Sequence, residues 1–241
     1  MALRVMIGRK RRPPPVKLPR AILLDALGTL IELKPPAPLL CEEFQRRFGI
    51  AMPVAQAERA IATEISYYRE HLDEGADMDE LLELRRRCVV AMVDELPPEA
   101  ATVPVEALTD ALLASISFQV FPDVGFALGA ARTRGSRLVV VSNWDVSLRE
   151  VLDRLELTPL LDGVVISAEH GAGKPDPSIF AKALQVAGVP ASKAVHVGDS
   201  LEADVEGARA AGVEPVLMRR DGSAGPPGTR TIANLIELVV S

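Results

Sequence analysis

Polar side chains of the kinds that hold cations and attack phosphorus stand at the ends of short apolar runs in this chain. Asp25 closes Ala21-Ile-Leu-Leu. Ser142 and Asn143 close Arg137-Leu-Val-Val-Val. Lys174 lies in the loop after Gly163-Val-Val-Ile-Ser167. Asp199 follows Lys193-Ala-Val-His-Val-Gly198, with Asp204 one turn further on. Two carboxylates, Asp25 and Asp199, suit a hard cation such as Mg²⁺, which prefers oxygen ligands. A lysine beside them keeps Asp25 ionised and meets a substrate's negative charge. A serine hydroxyl and backbone N–H groups at a strand-to-helix turn can bind a phosphoryl oxygen. An ionised aspartate facing a clamped phosphorus is a competent nucleophile and would pass through an aspartyl-phosphate.

Each group alone has an ordinary structural explanation. An Asp after a strand caps turns and helices, Ser-Asn is an N-cap pair, and a Lys before Pro is usually solvated. The weight rests on their order and on the shared position at strand ends.

The elements that must bring them together are legible as periodicity. After Phe121-Pro-Asp123 the chain alternates strands (137–142, 163–167, 193–198, 213–218) with helices (146–155, 177–187, 202–211, 232–240). Such alternation predicts a doubly wound parallel α/β sheet, whose ligands bind beyond the carboxyl ends of its strands. Between Leu39 and Ser117 the character changes. Apolar residues recur at helical spacing (Leu40, Phe44, Phe48; Ala57, Ile61, Ile65, Tyr68; Leu81, Leu84, Cys88, Met92; Leu108, Leu112, Ile116), broken at Gly49–Pro53, Gly75, Pro97-Pro98 and Pro104. Four helices and no strand are predicted there. The strand at Ala21 joins the same sheet, so the helical block is an insertion after the first strand. The division expected is a basic disordered tail over 1–19, an α/β core over 20–35 and 118–241, and a helical cap over 36–117.

The quoted segments Asp25-Ala-Leu-Gly-Thr-Leu30, Ser142-Asn143, Lys174-Pro-Asp-Pro-Ser-Ile-Phe180 and Val197-Gly-Asp-Ser-Leu-Glu-Ala-Asp204 resemble the four ordered motifs of the haloacid dehalogenase-like hydrolase superfamily. The resemblance spans about residues 20–220 and includes a helical cap inserted after the first motif. It implies a Rossmann-like core and Asp25 as nucleophile. It implies Ser142 and Lys174 as phosphate and charge partners, with Thr29 and Asn143 shaping the loops. It also implies Mg²⁺ held by Asp25, the Leu27 carbonyl and Asp199, with Asp204 assisting the metal or holding Lys174. One departure matters. The family's phosphatases usually carry a second Asp two residues after the nucleophile as general acid and base; Leu27 stands there. Its carbonyl can still reach a cation, but its side chain transfers no proton, and such help is typically worth roughly 10²–10⁴-fold.

Three readings follow. A phosphatase acting on a small phosphorylated metabolite would favour a substrate with a good leaving group, such as an acyl or aryl phosphate, or would borrow an acid from His170 or Asp145. A 2-haloacid dehalogenase also lacks the second Asp, but needs no metal. A non-catalytic relative would bind a phosphorylated ligand or a protein. A Schiff-base mechanism of the phosphonoacetaldehyde hydrolase type has no residue to run on, because no lysine lies between Lys34 and Lys174. Within the cap, Arg69, Arg85, Arg86 and Arg87 would meet an anionic substrate or form a solvated face. Tyr67-Tyr68 reads as core, and Trp144 lines the crevice or anchors a helix.

Composition bounds the rest. The chain has 241 residues, 48% hydrophobic and 25% charged, with a formal charge of −6. That balance is ordinary for a globular protein and gives no reason to expect nucleic-acid binding. No apolar run is long enough for a membrane helix. Two cysteines and three histidines make neither a disulfide framework nor a zinc pattern, so a reducing, cytoplasmic setting is expected. Seven basic and no acidic residues crowd positions 1–20, where the stretch Arg9–Pro15 is basic and then proline-rich.

Overall fold

The computed structural model describes residues 18–240. The basic tail expected over residues 1–19 lies, apart from Leu18 and Pro19, outside the described residues.

β1 (Ala21–Leu24) is four apolar residues, all buried. After a tight loop, β2 (Ile31–Leu33) leads into four helices: α1 (Pro36–Phe48), α2 (Val54–His71), α3 (Met78–Met92) and α4 (Val105–Ser115). β3 (Phe118–Val120) brings the chain back, followed by α5 (Val124–Thr133), β4 (Arg137–Ser142), α6 (Leu148–Arg154), β5 (Gly163–Ile166), α7 (Ser167–His170) and α8 (Pro177–Ala187). The chain closes with β6 (Ala194–Gly198), α9 (Gly207–Ala210), β7 (Glu214–Met218), β8 (Arg230–Ile232) and α10 (Ile236–Val240). Six strands form one sheet in the order β5-β4-β1-β6-β7-β8, and every neighbouring pair is parallel.

The apolar runs explain the layers. Successive strand residues point to opposite faces, so a run without polar breaks feeds two cores. Ile22, Leu24, Leu138, Val140, Val195 and Val197 pack beneath α5, α6 and α10. Ala21, Leu23, Val139 and Val141 pack against Ile179, Phe180 and Ala183 of α8 and Ala208 of α9. Helix ends follow local chemistry. The Asp77 carboxylate accepts from Asp79 N and Glu80 N (both 2.9 Å) at the start of α3. At α8, the Asp176 cap, Pro177 in the first turn and left-handed Gly188 fix both ends.

The four-helix insertion buries its own core, including Leu40, Phe44, Ala57, Ile61, Met92, Leu108 and Leu112. It is entered and left through a short antiparallel ribbon, β2 against β3, with Ile31 opposite Val120 and Leu33 opposite Phe118. Two predicted helices change. Ile232 ends strand β8, and the last helix begins only at Ile236. The helix predicted over 202–211 opens as a π-type turn, Leu201–Glu206, before α9.

Candidate active site

β1 lies between β4 and β6, with Leu24 level with Val140 on one side and Val197 on the other. The residues just beyond these strands therefore converge. Asp25 N donates to Val197 O at 2.9 Å, and the Asp25 carboxylate sits buried at the sheet's carboxyl edge. Its Oδ1 accepts from Ser142 Oγ at 3.1 Å and from Lys174 Nζ at 2.6 Å. Lys174, itself buried, donates equally to Asp204 Oδ1 at 2.6 Å. Asp204 is filled: its Oδ1 also meets His196 Nε2 at 2.8 Å and its Oδ2 accepts from Ser200 N at 2.9 Å. Carboxylate oxygens of Asp25, Asp199 and Asp204 lie within 4.8 Å of one another. Three carboxylates and one ammonium leave an excess of negative charge when all are ionised.

That crowding sets the protonation equilibria. Burial, opposed by Lys174 and reinforced by Asp204, pushes the Asp25 carboxyl up to about 6. Burial also works against ionised Asp204, but Lys174 and His196 outweigh it and hold its carboxyl below the usual range. Lys174 loses hydration, yet its two carboxylates keep its ammonium form favoured beyond the ordinary lysine range. Asp199 is raised by lost hydration and by Asp204. A proton entering the buried pair thus settles on Asp25.

Two glycines make the approach feasible. Gly28 has φ +79°, and a Cβ there would stand 2.2 Å from Asp199 Oδ2; a Cβ at Gly198 would stand 2.1 Å from Asp204 Cγ. The loop after Asp25 is closed by Ile31 N donating to Ala26 O (3.0 Å) and Gly28 N donating to Ile31 O (2.8 Å). Leu27's own carbonyl takes no part in that bridge, and the residue is 36% exposed.

The predicted residues divide clearly. Asp25, Ser142, Lys174, Asp199 and Asp204 come together. Asn143 acts on the main chain of Lys174: its Nδ2 donates to Lys174 O (2.8 Å) and its Oδ1 accepts from Lys174 N (2.7 Å). Thr29 is fully buried, and among the described residues its Oγ1 has no hydrogen-bond partner. Both residues named as substitute acids have hydrogen-bond partners outside the carboxylate cluster. Asp145 is buried and accepts from Ser147 N (2.7 Å) and Tyr68 Oη (2.8 Å), and His170 pairs with Ser178 Oγ at 3.0 Å. Arg86 and Arg87 pair with Glu106 (2.9 Å) and Glu74 (2.5 Å) on the insertion's surface, and Arg69 is exposed. Trp144 packs on Phe118, ring centres 5.3 Å apart, and so anchors the ribbon. His196 was absent from the sequence-derived set. Its signal is a polar residue inside an apolar strand, three residues before Asp199.

Comparison with known proteins agrees with this geometry. The sequence model of the haloacid dehalogenase-like hydrolase family matches residues 19–212. Haloacid dehalogenase-like hydrolase domain-containing protein 3 of Mus musculus is 38% identical over 124 residues, 51% of this chain and 49% of that protein; the chain thus spans about half the length of this relative. Glyceraldehyde 3-phosphate phosphatase of Methanopyrus kandleri is 34% identical over 207 residues, 83% of this chain and 84% of the relative. Among solved structures, a phosphatase of the family from Thermococcus onnurineus is 27% identical, covering 91% of this chain and 95% of its own, with TM-score 0.63. A 2-haloacid dehalogenase from Pseudomonas syringae is 25% identical, covering 92% and 96%, with TM-score 0.65. With the four motif segments meeting at one sheet edge and the match running through all of them, the chain belongs to the haloacid dehalogenase-like hydrolase family.

Proposed function

We propose that this hydrolase is a Mg²⁺-dependent phosphatase that transfers the phosphoryl group of a small metabolite to Asp25 and then to water, in the cytoplasm. The observation that carries the reading is the surplus of carboxylates around Asp25, with Asp199 placed beside it. Asp25, the Leu27 carbonyl and Asp199 would hold the cation, which when bound supplies charge to offset the phosphate oxygens. Asp204, whose oxygens are taken by Lys174, His196 and Ser200, serves by holding Lys174. Lys174 and Ser142 fix the Asp25 carboxylate through Oδ1 and face the incoming phosphate. Asp25 attacks phosphorus, and the bond to the leaving oxygen breaks with its electron pair. Water then attacks the aspartyl-phosphate, the bond from phosphorus to Asp25 breaks, phosphate departs, and one proton passes to solvent.

Leu27 cannot protonate a leaving group, and the hydrogen bonds of Asp145 and His170 run to Tyr68, Ser147 and Ser178. The reading therefore favours acyl or aryl phosphates, which leave unprotonated. The phosphatase name of the Methanopyrus relative supports a small phosphorylated substrate. Leu27 equally suits halide departure, so a 2-haloacid dehalogenase is the second reading, although it gives Asp199 no task. Hydrolysis of acetyl phosphate and p-nitrophenyl phosphate with Mg²⁺ is expected, and is lost on chelation and in Asp25→Asn. Turnover that survives exhaustive chelation removes the metal assignment. Chloride release from 2-chloropropionate in chelator supports the dehalogenase instead.

A further inference from the structure

The loops carrying Asp25 and Asp199 reach their positions through backbone that neither carboxylate explains. Arg219 and Arg220, directly after β7, each hold one of them. The Arg219 guanidinium donates to Asp199 O at 2.6 Å. The Arg220 guanidinium donates to Thr29 O, four residues beyond Asp25 in the loop that also contains Leu27 and Gly28. Arg220 is fixed in turn: it donates to Asp123 Oδ1 at 2.6 Å, and its guanidinium lies 4.0 Å from the centre of the Phe121 ring. The other Asp123 oxygen accepts from Leu235 N at 2.6 Å. Phe121 N donates to Leu30 O at 3.1 Å, closing the circuit on the same loop. The Arg220 side chain is only 18% exposed.

We infer that Arg219 and Arg220 are positioning residues that clamp the two carboxylate-bearing loops at a fixed separation from a shared anchor at the end of β7. Neither guanidinium is placed by these contacts on a carboxylate of the site; both act on main-chain carbonyls. Gly28 gives the clamp its purpose. Asp199 already sits too close to Gly28 for a Cβ, so the two loops meet without spare room, and on this inference loss of the clamp would let Asp25 and Asp199 part. The inference rests on the proposed role of that pair in holding a cation.

The clamp makes a prediction opposite in sign to simple charge. A guanidinium near a cation site repels the cation, so removing it would tighten binding if charge were its only effect. A positioning role requires weaker binding, by about tenfold for contacts that orient ligands. Arg219→Met and Arg220→Met are therefore compared with the wild type by calorimetric Mg²⁺ titration and, without metal, by amide hydrogen exchange. Expected are weaker Mg²⁺ binding in both and faster exchange confined to residues 199–204 in Arg219→Met and to residues 26–31 and 121–124 in Arg220→Met. Arg220→Lys, which keeps charge but not the fork, should recover Mg²⁺ affinity only partly. Tighter Mg²⁺ binding, unchanged loop exchange, or exchange that rises uniformly through the chain overturns the clamp. Wild-type protein that binds no Mg²⁺ removes the phosphatase reading, while the metal-free exchange pattern still decides the clamp.

Discussion

The proposed attack on phosphorus requires Asp25 ionised, and its surroundings resist that. Its carboxyl, raised to about 6 by burial, carries a growing fraction of proton as pH falls through that value. At low Mg²⁺, kcat/KM should therefore fall about tenfold per pH unit on the acid side of about 6 and level off above 7. A dication beside Asp25 favours the carboxylate, so saturating Mg²⁺ should move this limb to lower pH. pH–rate profiles at two Mg²⁺ concentrations check it; a limb indifferent to Mg²⁺ would place the cation away from Asp25. In the proposed reaction Leu27 bears on the leaving group: its side chain, on an exposed residue, has no proton to give to a leaving oxygen. Leu27→Asp should raise turnover of alkyl phosphates by up to roughly 10²-fold, the low end for a general acid, and that of p-nitrophenyl phosphate far less. Equal gains on both substrates would mean that protonating the leaving group does not limit the rate.

Helix α2 carries a carboxyl with no part in the chemistry. Glu64 is 7% exposed inside the four-helix insertion, and burial raises its carboxyl from 4.5 to about 7, against the opposing hydrogen bond from Cys88. Between those two values the folded chain holds a proton that the unfolded chain has released. Stability from this group is thus intact below about pH 4.5 and is lost as pH rises through 7. Glu64→Gln removes the penalty. Urea unfolding should show the variant matching wild type near pH 4.5 and exceeding it by up to about 3 kcal/mol above pH 8; a difference independent of pH would mean that Glu64 does not titrate there. The same insertion was legible as four amphipathic helices because its apolar stripes run for two or more turns between prolines and glycines. Helix α8 was legible to the residue because Asp176-Pro177 and Gly188 mark its ends. β2, β3 and β8 were not. Three residues hold no period, and Ile232 joined a helical stripe by spacing alone. α5 escaped because Gly125, Gly129 and its alanines thin out the apolar signal. At the site, the strand-end residues were legible because parallel strands must deliver them to one edge. His196 was not, because a buried histidine in a strand declares its purpose only once Asp204 folds back onto it.

The whole molecule is governed by how the insertion rests on the sheet. It is tied to the core at the ribbon, where Lys34 N donates to Ser117 O at 2.9 Å, and again at a seam two and three residues past Asn143. There Tyr68 Oη donates to Asp145 Oδ2 at 2.8 Å, and Val146 N donates to Gly75 O at 2.9 Å. A Cβ on Gly75 would come within 3.0 Å of Asp145 Cβ, so the two surfaces meet without spare room. Swinging the insertion about the ribbon, as the proposed cap role requires for substrate entry and product exit, would break the seam and leave the ribbon intact. A hydrogen bond to a charged acceptor contributes about 1.5–3 kcal/mol, so the Tyr68 contact alone can shift the balance between closed and open forms by about tenfold or more. Tyr68→Phe keeps the ring and deletes only the donor. The variant should show a larger radius of gyration in solution scattering and a raised KM, with kcat raised as well if opening limits product release. An unchanged radius and KM would mean that the seam's main-chain bond and packing hold the insertion in place without Tyr68.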